Sequence, residues 1–387
     1  MSKKKWTMYG AIVGAILVAA IATPAFADSR PSFEELQQRL DRAEARIAEL
    51  NNSNDATWLE TRRSEEIRGL VQDVLADADT RASFQGDGNR SPVTVNVHGF
   101  AQTRWSYNGG GDVEANHGFN IPRARLVFTG DVYNFKYRVS GQWQDGGNFD
   151  LMDAWGSTDL GGFDFKFGQF KAPFMKAWDV YAADTLAADR SIVAYTFGQG
   201  RSQGIQLARD FGSLRVRAAY TDGFNSANGA GVQNGYALSG RVDWDLTDWW
   251  SLGAAISWND LDVTDYWTYT VDTGLDFGGF GLDAAYVGKN HDAGDDWAAT
   301  VQASYFVTDQ LQPFVQYEFG ELQGADENLS LATFGFNYHF NPNVKWTTDF
   351  GYSFNDVSAG WNLADTGWNT GAKSGEYLLR TQLTVQF

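Results

Sequence analysis

From Val93 to Phe387 apolar and polar side chains alternate with a period of two. The stretch FKYRVSGQWQ, 135–144, shows this plainly. Phe135, Tyr137, Val139, Gly141 and Trp143 share one parity; Lys136, Arg138, Ser140, Gln142 and Gln144 share the other. Successive side chains of a strand point to opposite faces of a sheet, so this is a strand with one apolar face and one basic, wet face. The same alternation runs through RARLVFTGDV (123–132), LRVRAAYT (214–221), WTYTVDTGLDF (267–277), VKWTTDFGYS (344–353) and YLLRTQLTVQF (377–387). Weaker candidates lie at 149–158 and 202–209. The total is about sixteen strands of roughly ten residues, an even number and a length that suit a tilted bilayer span.

The connections carry a second signal. Short turns such as DVYN (131–134), DLGG (159–162), DFGS (210–213) and NPN (341–343) join one end. Long loops are expected at the other, over 106–118, 171–201, 222–235 and 353–375. Tight periplasmic turns opposite longer external loops are the asymmetry of an outer-membrane barrel. A soluble propeller would show a blade-length repeat, and none is visible. The composition agrees. There are 42 Gly, 15 Trp, 16 Tyr and 27 Phe but only 7 Pro, and mean hydropathy is negative. Many strands with one polar face have this composition. The fold class is therefore all-β, a transmembrane antiparallel β-barrel of about 16 strands. The apolar parity faces lipid, where every backbone group must be paired. Tyr137, Trp143, Trp105, Trp244, Trp258, Trp297, Tyr317, Tyr338, Trp346 and Tyr352 are expected in the interfacial girdles. The polar parity faces a lumen.

Two segments precede the barrel. Residues 1–27 combine Lys3, Lys4 and Lys5, an apolar run from Ala11 to Ala22, and Ala25-Phe26-Ala27. This reads as a secretory signal peptide with an A-x-A cleavage site. Residues 28–92 read as a helical segment and linker on the periplasmic side. Within it, Phe33, Leu40 and Ile47 fall on a positions and Leu36, Ala43 and Leu50 on d positions of a short coiled coil. Self-association, or a helix lying on another surface such as peptidoglycan, would bury that stripe. The domain division is thus 1–27, 28–92 and 93–387.

The segments PRARLVFTGDV (122–132), YRVSGQW (137–143), LMDAW (151–155), FGQFKAPF (167–174) and GRSQGIQLA (200–208) resemble the phosphate-selective porin O and P family of bacterial outer-membrane porins. They cover the first half of the barrel; the second half is similar only in pattern. The resemblance implies a sixteen-stranded homotrimer with an inward-folded loop narrowing each pore. The terminal Phe387 implies, by the same resemblance, recognition by the barrel-insertion machinery.

The residues of the pore are read from parity. Arg104, Arg123, Arg125, Lys136, Arg138, Lys166, Arg215 and Arg217 fall on the lumen face of the early strands, and Arg241, Lys345 and Arg380 extend the set. The loop 171–201 is more apolar than a free surface loop, with Phe174, Trp178, Tyr181, Ile192, Val193 and Phe197. It is expected to pack on the inner wall as a constriction loop carrying Lys171, Lys176, Asp179, Asp184, Asp189 and Arg190. Cations on the wall facing carboxylates on the loop would set a transverse field across a water gap. Arginine forks suit phosphate and carboxylate guests. Lumen acids Asp243, Asp272, Asp276, Asp283, Glu318 and Asp349 compete as structural partners. Three loop aspartates also depart from a dedicated phosphate channel, so a modest anion preference is expected.

Other classes are disfavoured. A formal charge of -18 argues against a nucleic-acid partner. The chain has no cysteine, and its histidines have no metal-ligand spacing, so no metal site or cofactor is expected. The acidic loops at 85–90 and 290–297 match no EF-hand, and a solvated loop is the preferred reading over a calcium site. The function expected is a porin for small hydrophilic solutes and ions. The alternatives are a structural tether to the cell wall and a barrel-based enzyme, for which no nucleophile motif appears.

Overall fold

The computed structural model describes residues 93–387 apart from 112, 145–146, 230–234, 261–264, 292–293, 364–365 and 369–372. The expected signal peptide, the coiled-coil core from Phe33 to Leu50 and the loop 85–90 lie outside the described residues. Sixteen strands follow in order: β1 (Asn96–Gly110), β2 (Val113–Val132), β3 (Phe135–Gln144), β4 (Phe149–Asp159), β5 (Asp164–Lys171), β6 (Arg201–Phe211), β7 (Leu214–Thr221) and β8 (Tyr236–Thr247). The second half comprises β9 (Trp250–Asp260), β10 (Asp265–Phe277), β11 (Phe280–His291), β12 (Gly294–Tyr305), β13 (Leu311–Glu321), β14 (Leu329–Asn341), β15 (Val344–Ser353) and β16 (Glu376–Gln386). Two short helices, α1 (Lys176–Asp179) and α2 (Ile192–Phe197), lie between β5 and β6.

Each strand pairs with its neighbours in sequence, and β1 pairs antiparallel with β16 from Phe100↔Gln386 to Gly110↔Glu376. The sheet closes and leaves no edge, which a wall immersed in hydrocarbon requires. Burial is inverted relative to a soluble protein. Ile256 and Val271 are 54% and 56% exposed, while inward Ser257 and Thr270 are each 1% exposed. Outward aromatics gather at both ends of the wall. Phe135, Phe211, Trp244 and Phe277 ring the turn end; Trp143, Tyr220, Trp267 and Tyr286 ring the loop end. Cross-strand ring contacts tie them together, as in Trp258 and Trp267, whose ring centroids lie 4.7 Å apart at an interplanar angle of 52°. Turns are as tight as expected: Gly278 and Gly279, at φ 57° and 84°, join Phe277 to Phe280 in two residues.

One boundary differs from expectation. The stretch 106–118 is not a free loop. β1 and β2 continue pairing from Trp105↔Phe119 to Asn108↔Asn116, and Gly110 and Gly111 at positive φ close the hairpin. Beyond the bilayer neither face meets hydrocarbon, so the alternation that marks the rest of the wall is not imposed there. Backbone pairing alone continues the strands.

The interior is not uniformly polar. The loop 172–200 enters the barrel and packs Phe174, Met175, Ile192, Val193 and Phe197 into one apolar cluster. The β15–β16 loop adds Val357, Trp361 and Trp368. The wall answers with inward Ala255, Val287, Ala298, Leu329, Leu331 and Leu378. The expectation of a polar lumen face therefore fails at the loop-end part of β9–β16, where the wall covers buried loops instead of water.

Candidate functional site: the lumen and its inner loop

A loop carrying this many apolar groups gains by leaving water, but its backbone polar groups then need partners. The wall supplies them. Asp349 accepts from the Ala188 N–H at 2.7 Å, and Glu318 from the Val193 N–H at 3.0 Å. Gln102 donates to the Ala182 carbonyl at 3.1 Å, Asn337 to Leu186 at 3.1 Å, Lys345 to Thr185 at 2.7 Å and Arg241 to Phe174 at 2.6 Å. Ser191 caps α2 by accepting from the Ala194 N–H at 2.9 Å.

Asp189 is the hub of this attachment. It receives Arg104 at 2.7 Å, Arg123 at 2.8 Å and the Tyr195 hydroxyl at 2.7 Å, and its side chain is wholly buried. Burial alone would raise its carboxyl, but the Arg123 and Arg104 charges outweigh that and hold it below the ordinary carboxylate range. Burial and the Asp189 charge push the Tyr195 hydroxyl up, so it remains a donor. Arg104 and Arg123 thus fix the loop by contact. The expected arrangement, with Asp189 facing wall cations across a water gap, is replaced here by direct pairs.

Elsewhere the lumen charges sort into three groups. Paired cations include Arg138 and Arg201, which share Asp153 at 3.2 and 2.8 Å. Arg217 lies 2.8 Å from Asp243 and 3.7 Å from Asp179. Arg241 joins Asp243 to Asp272, Arg380 meets Asp349 at 2.8 Å, and Lys176 reaches Asp283 at 2.7 Å. The second group is cationic but has no carboxylate within ion-pair distance among the described residues. Arg125 sits over Phe100 at 5.3 Å and Tyr181 at 5.5 Å; Lys166 over Trp155 at 4.7 Å; Lys171 and Arg190 over the same Trp178 ring at 5.2 and 5.1 Å. An aromatic face holds a cation in place without cancelling its charge. The third group lies near the turn end, away from the loop's attachments: Lys136 is exposed there, and Arg215 lies 3.6 Å from Asp210. Asp184 is exposed and accepts from Gln386 at 3.1 Å.

On the opposite side, below the loop, a cavity of about 1010 Å³ is bordered by Asp245, Asp248, Asp276 and Asp283, with Lys176 and Arg190 from the loop. Parity reasoning places these cations on the lumen side of the wall. It missed Asp153 and Arg201 as a pair, and missed the inward aromatics Phe100, Trp155 and Phe170. Asp153 in LMDAW shares its parity with exposed Leu151, and Arg201 in GRSQGIQLA with exposed Ile205 and Leu207, so alternation alone gives no signal for this pair; a register shift between β3 and β4 lies beside Asp153. Among the described residues, no group of His, Asp and Glu is arranged to hold a metal ion.

The comparisons with known proteins agree with this geometry. The family described as Gram-negative porin matches residues 14–358. No curated protein sequence matches the chain. Among solved structures, the fold is similar to an anion-selective porin from Comamonas acidovorans, with TM-score 0.59, 15% identity, and 76% of this chain and 99% of that one covered. It is also similar to OmpF of Salmonella typhi solved with daunomycin, with TM-score 0.59, 16% identity, and 77% and 98% covered. OmpT of Vibrio cholerae in its trimer form gives TM-score 0.56, 16% identity, and 76% and 99% covered.

Proposed function

The chain belongs to the Gram-negative porin family, the passive-diffusion channels of the outer membrane, and we propose that it works as a homotrimer with a modest preference for anions. Small hydrophilic solutes and ions cross through the lumen, and nothing in this role calls for catalysis. The observation that carries the anion preference is the set Arg125, Lys166, Lys171 and Arg190, whose charges face the interior without a carboxylate partner. Most other lumen cations are spent on acids of the wall or loop. Fixed charge in a narrow aqueous path raises the local concentration of counter-ions, here anions. The loop 172–200, anchored at Asp189, serves as the constriction.

The preference is modest because acids stand opposite. Asp245, Asp248 and Asp276 border the cavity below the loop and offset part of the field. A pore dedicated to phosphate would crowd free cations on the loop, whereas Asp179, Asp184 and Asp189 sit among its bases. A general, anion-leaning porin therefore fits better than the phosphate-selective O and P group. Planar-bilayer recording tests the proposal. Conductance steps grouped in threes and a zero-current potential on the chloride side are expected. A silent membrane refutes the channel, and a potassium-side potential refutes the anion preference.

A further inference from the structure

The unpaired cations are framed by aromatic rings, and the frame has a donor surplus. Trp178 is flanked by Lys171 at 5.2 Å and Arg190 at 5.1 Å from its ring centroid. Tyr181 stands edge-on to Phe100 at 5.1 Å, and Arg125 covers both rings. Arg190 and Arg201 lie within electrostatic reach of both Arg125 and Lys171. Of the acids near this group, Asp153 pairs with Arg138 and Arg201 and Asp189 with Arg104 and Arg123, while Asp179 lies 3.7 Å from Arg217 and within electrostatic reach of Lys171. The Trp178 Nε1, Tyr181 hydroxyl and Arg190 Nε find no acceptor among the described residues. A buried donor left unpaired is costly, so an accepting group at this place would be favoured. Of Arg125, Lys171, Trp178, Tyr181 and Arg190, Arg190 alone borders the 1010 Å³ cavity, so a solute in that cavity meets the cluster at Arg190.

We propose that Arg125, Lys171 and Arg190, with Trp178 and Tyr181, form a binding site in the channel for aromatic monocarboxylates. This rests on the channel reading above and names a preferred solute class for it. Arg125 already donates to the Gln142 amide oxygen, Lys171 to the Trp178 carbonyl and Arg190 to the Val180 carbonyl; the carboxylate supplies the acceptor that the remaining donors lack and the counter-charge that these neutral acceptors do not give. The planar ring of the solute lies against the rings of the loop and the outer face of a guanidinium. A small, strongly hydrated anion such as phosphate gains less here, because aromatic walls do not replace the water it sheds. An aliphatic acid of similar size offers the carboxylate but no flat face.

Chloride current through single trimers in a planar bilayer is the readout, with sodium benzoate, acetate, cyclohexanecarboxylate and inorganic phosphate added in turn. Benzoate is expected to reduce the current at about tenfold lower concentration than the other three, the scale of one added stacking contact. Arg125→Gln and Arg190→Gln should each remove that difference. Lys171→Gln is a further test if either arginine variant fails to assemble. Arg209→Gln should leave it intact, because Arg209 stacks on Phe163 and Phe211 at the turn end, on the outward parity. Equal effects of benzoate and acetate, or a benzoate preference that survives these substitutions, would overturn the site. A protein that passes chloride without favouring benzoate defeats only this inference, whereas one that passes no chloride defeats the channel itself.

Discussion

Along β1–β7 the inward side chains include Arg125, Arg138, Lys166 and Arg217; along the loop-end parts of β11–β16 they include Val287, Ala298, Leu329, Leu331 and Leu378. One wall, built on one period, thus serves two purposes. The first arc is charged: Arg125 and Lys166 have no carboxylate within ion-pair distance among the described residues, whereas Arg138 and Arg217 are paired with Asp153 and Asp243. The second faces the apolar sides of two loops and works as the inner half of a hydrophobic core. Between them, Asp189 and its arginines clamp the loop to β1 and β2. The comparison teaches that lumen parity alone does not define a pore residue. An inward arginine can be a clamp, a neutralised partner or a free charge, and the difference lies in what stands opposite it.

The clamp is the place to break this contrast most severely. Asp189→Ala leaves two buried guanidiniums without their acceptor, at a cost of roughly 3–5 kcal/mol. A lower denaturant midpoint and unsteady, altered conductance are expected; a variant as stable and as quiet as the parent would remove Asp189 as the hub. Next, Trp361→Ala empties part of the dry arc, where the indole is 6% exposed. About 3 kcal/mol should be lost with the zero-current potential unchanged, because no free charge lies there. A shifted potential would merge the two arcs into one. Ile256→Arg puts a charge on the lipid face at roughly 2 kcal/mol. Ser251→Arg, beside the cavity, should cost far less, as urea titration of folding into vesicles would show. Equal losses would contradict the two-solvent wall.

The smallest effect concerns pH. The Asp189 carboxyl is depressed in the folded protein, so its contribution to stability is present above the ordinary carboxylate value of about 4. It is lost only as pH falls through the lower folded value. Loop anchorage and conductance are therefore expected to hold from neutral pH down to about 4. Recordings that show the loop releasing between neutrality and that point would separate Asp189 from its assigned role.

The wall was legible in the sequence because two solvents impose period two on it. The alternation in LRVRAAYT predicts a strand over 214–221, and β7 spans Leu214–Thr221. The loop 171–201 is marked in the sequence by its excess of apolar residues. What failed has physical causes. The β1–β2 hairpin leaves the bilayer, so nothing there enforces alternation. The dry arc shows only as apolar residues on both parities, Leu378 beside Leu379 for example, which parity reasoning reads as noise. The clamp joins Asp189 to partners 85 and 66 residues away, a separation at which no local pattern assigns which arginine meets which acid.

The zero-current potential in a potassium chloride gradient tests the central claim most directly. The parent should favour chloride, and Arg125→Gln with Lys171→Gln should move the potential toward potassium, while Arg215→Gln with Lys136→Gln moves it much less. An unchanged potential in the first pair, or an equal shift in both, would show that the aromatic-held cations do not set the selectivity of this channel.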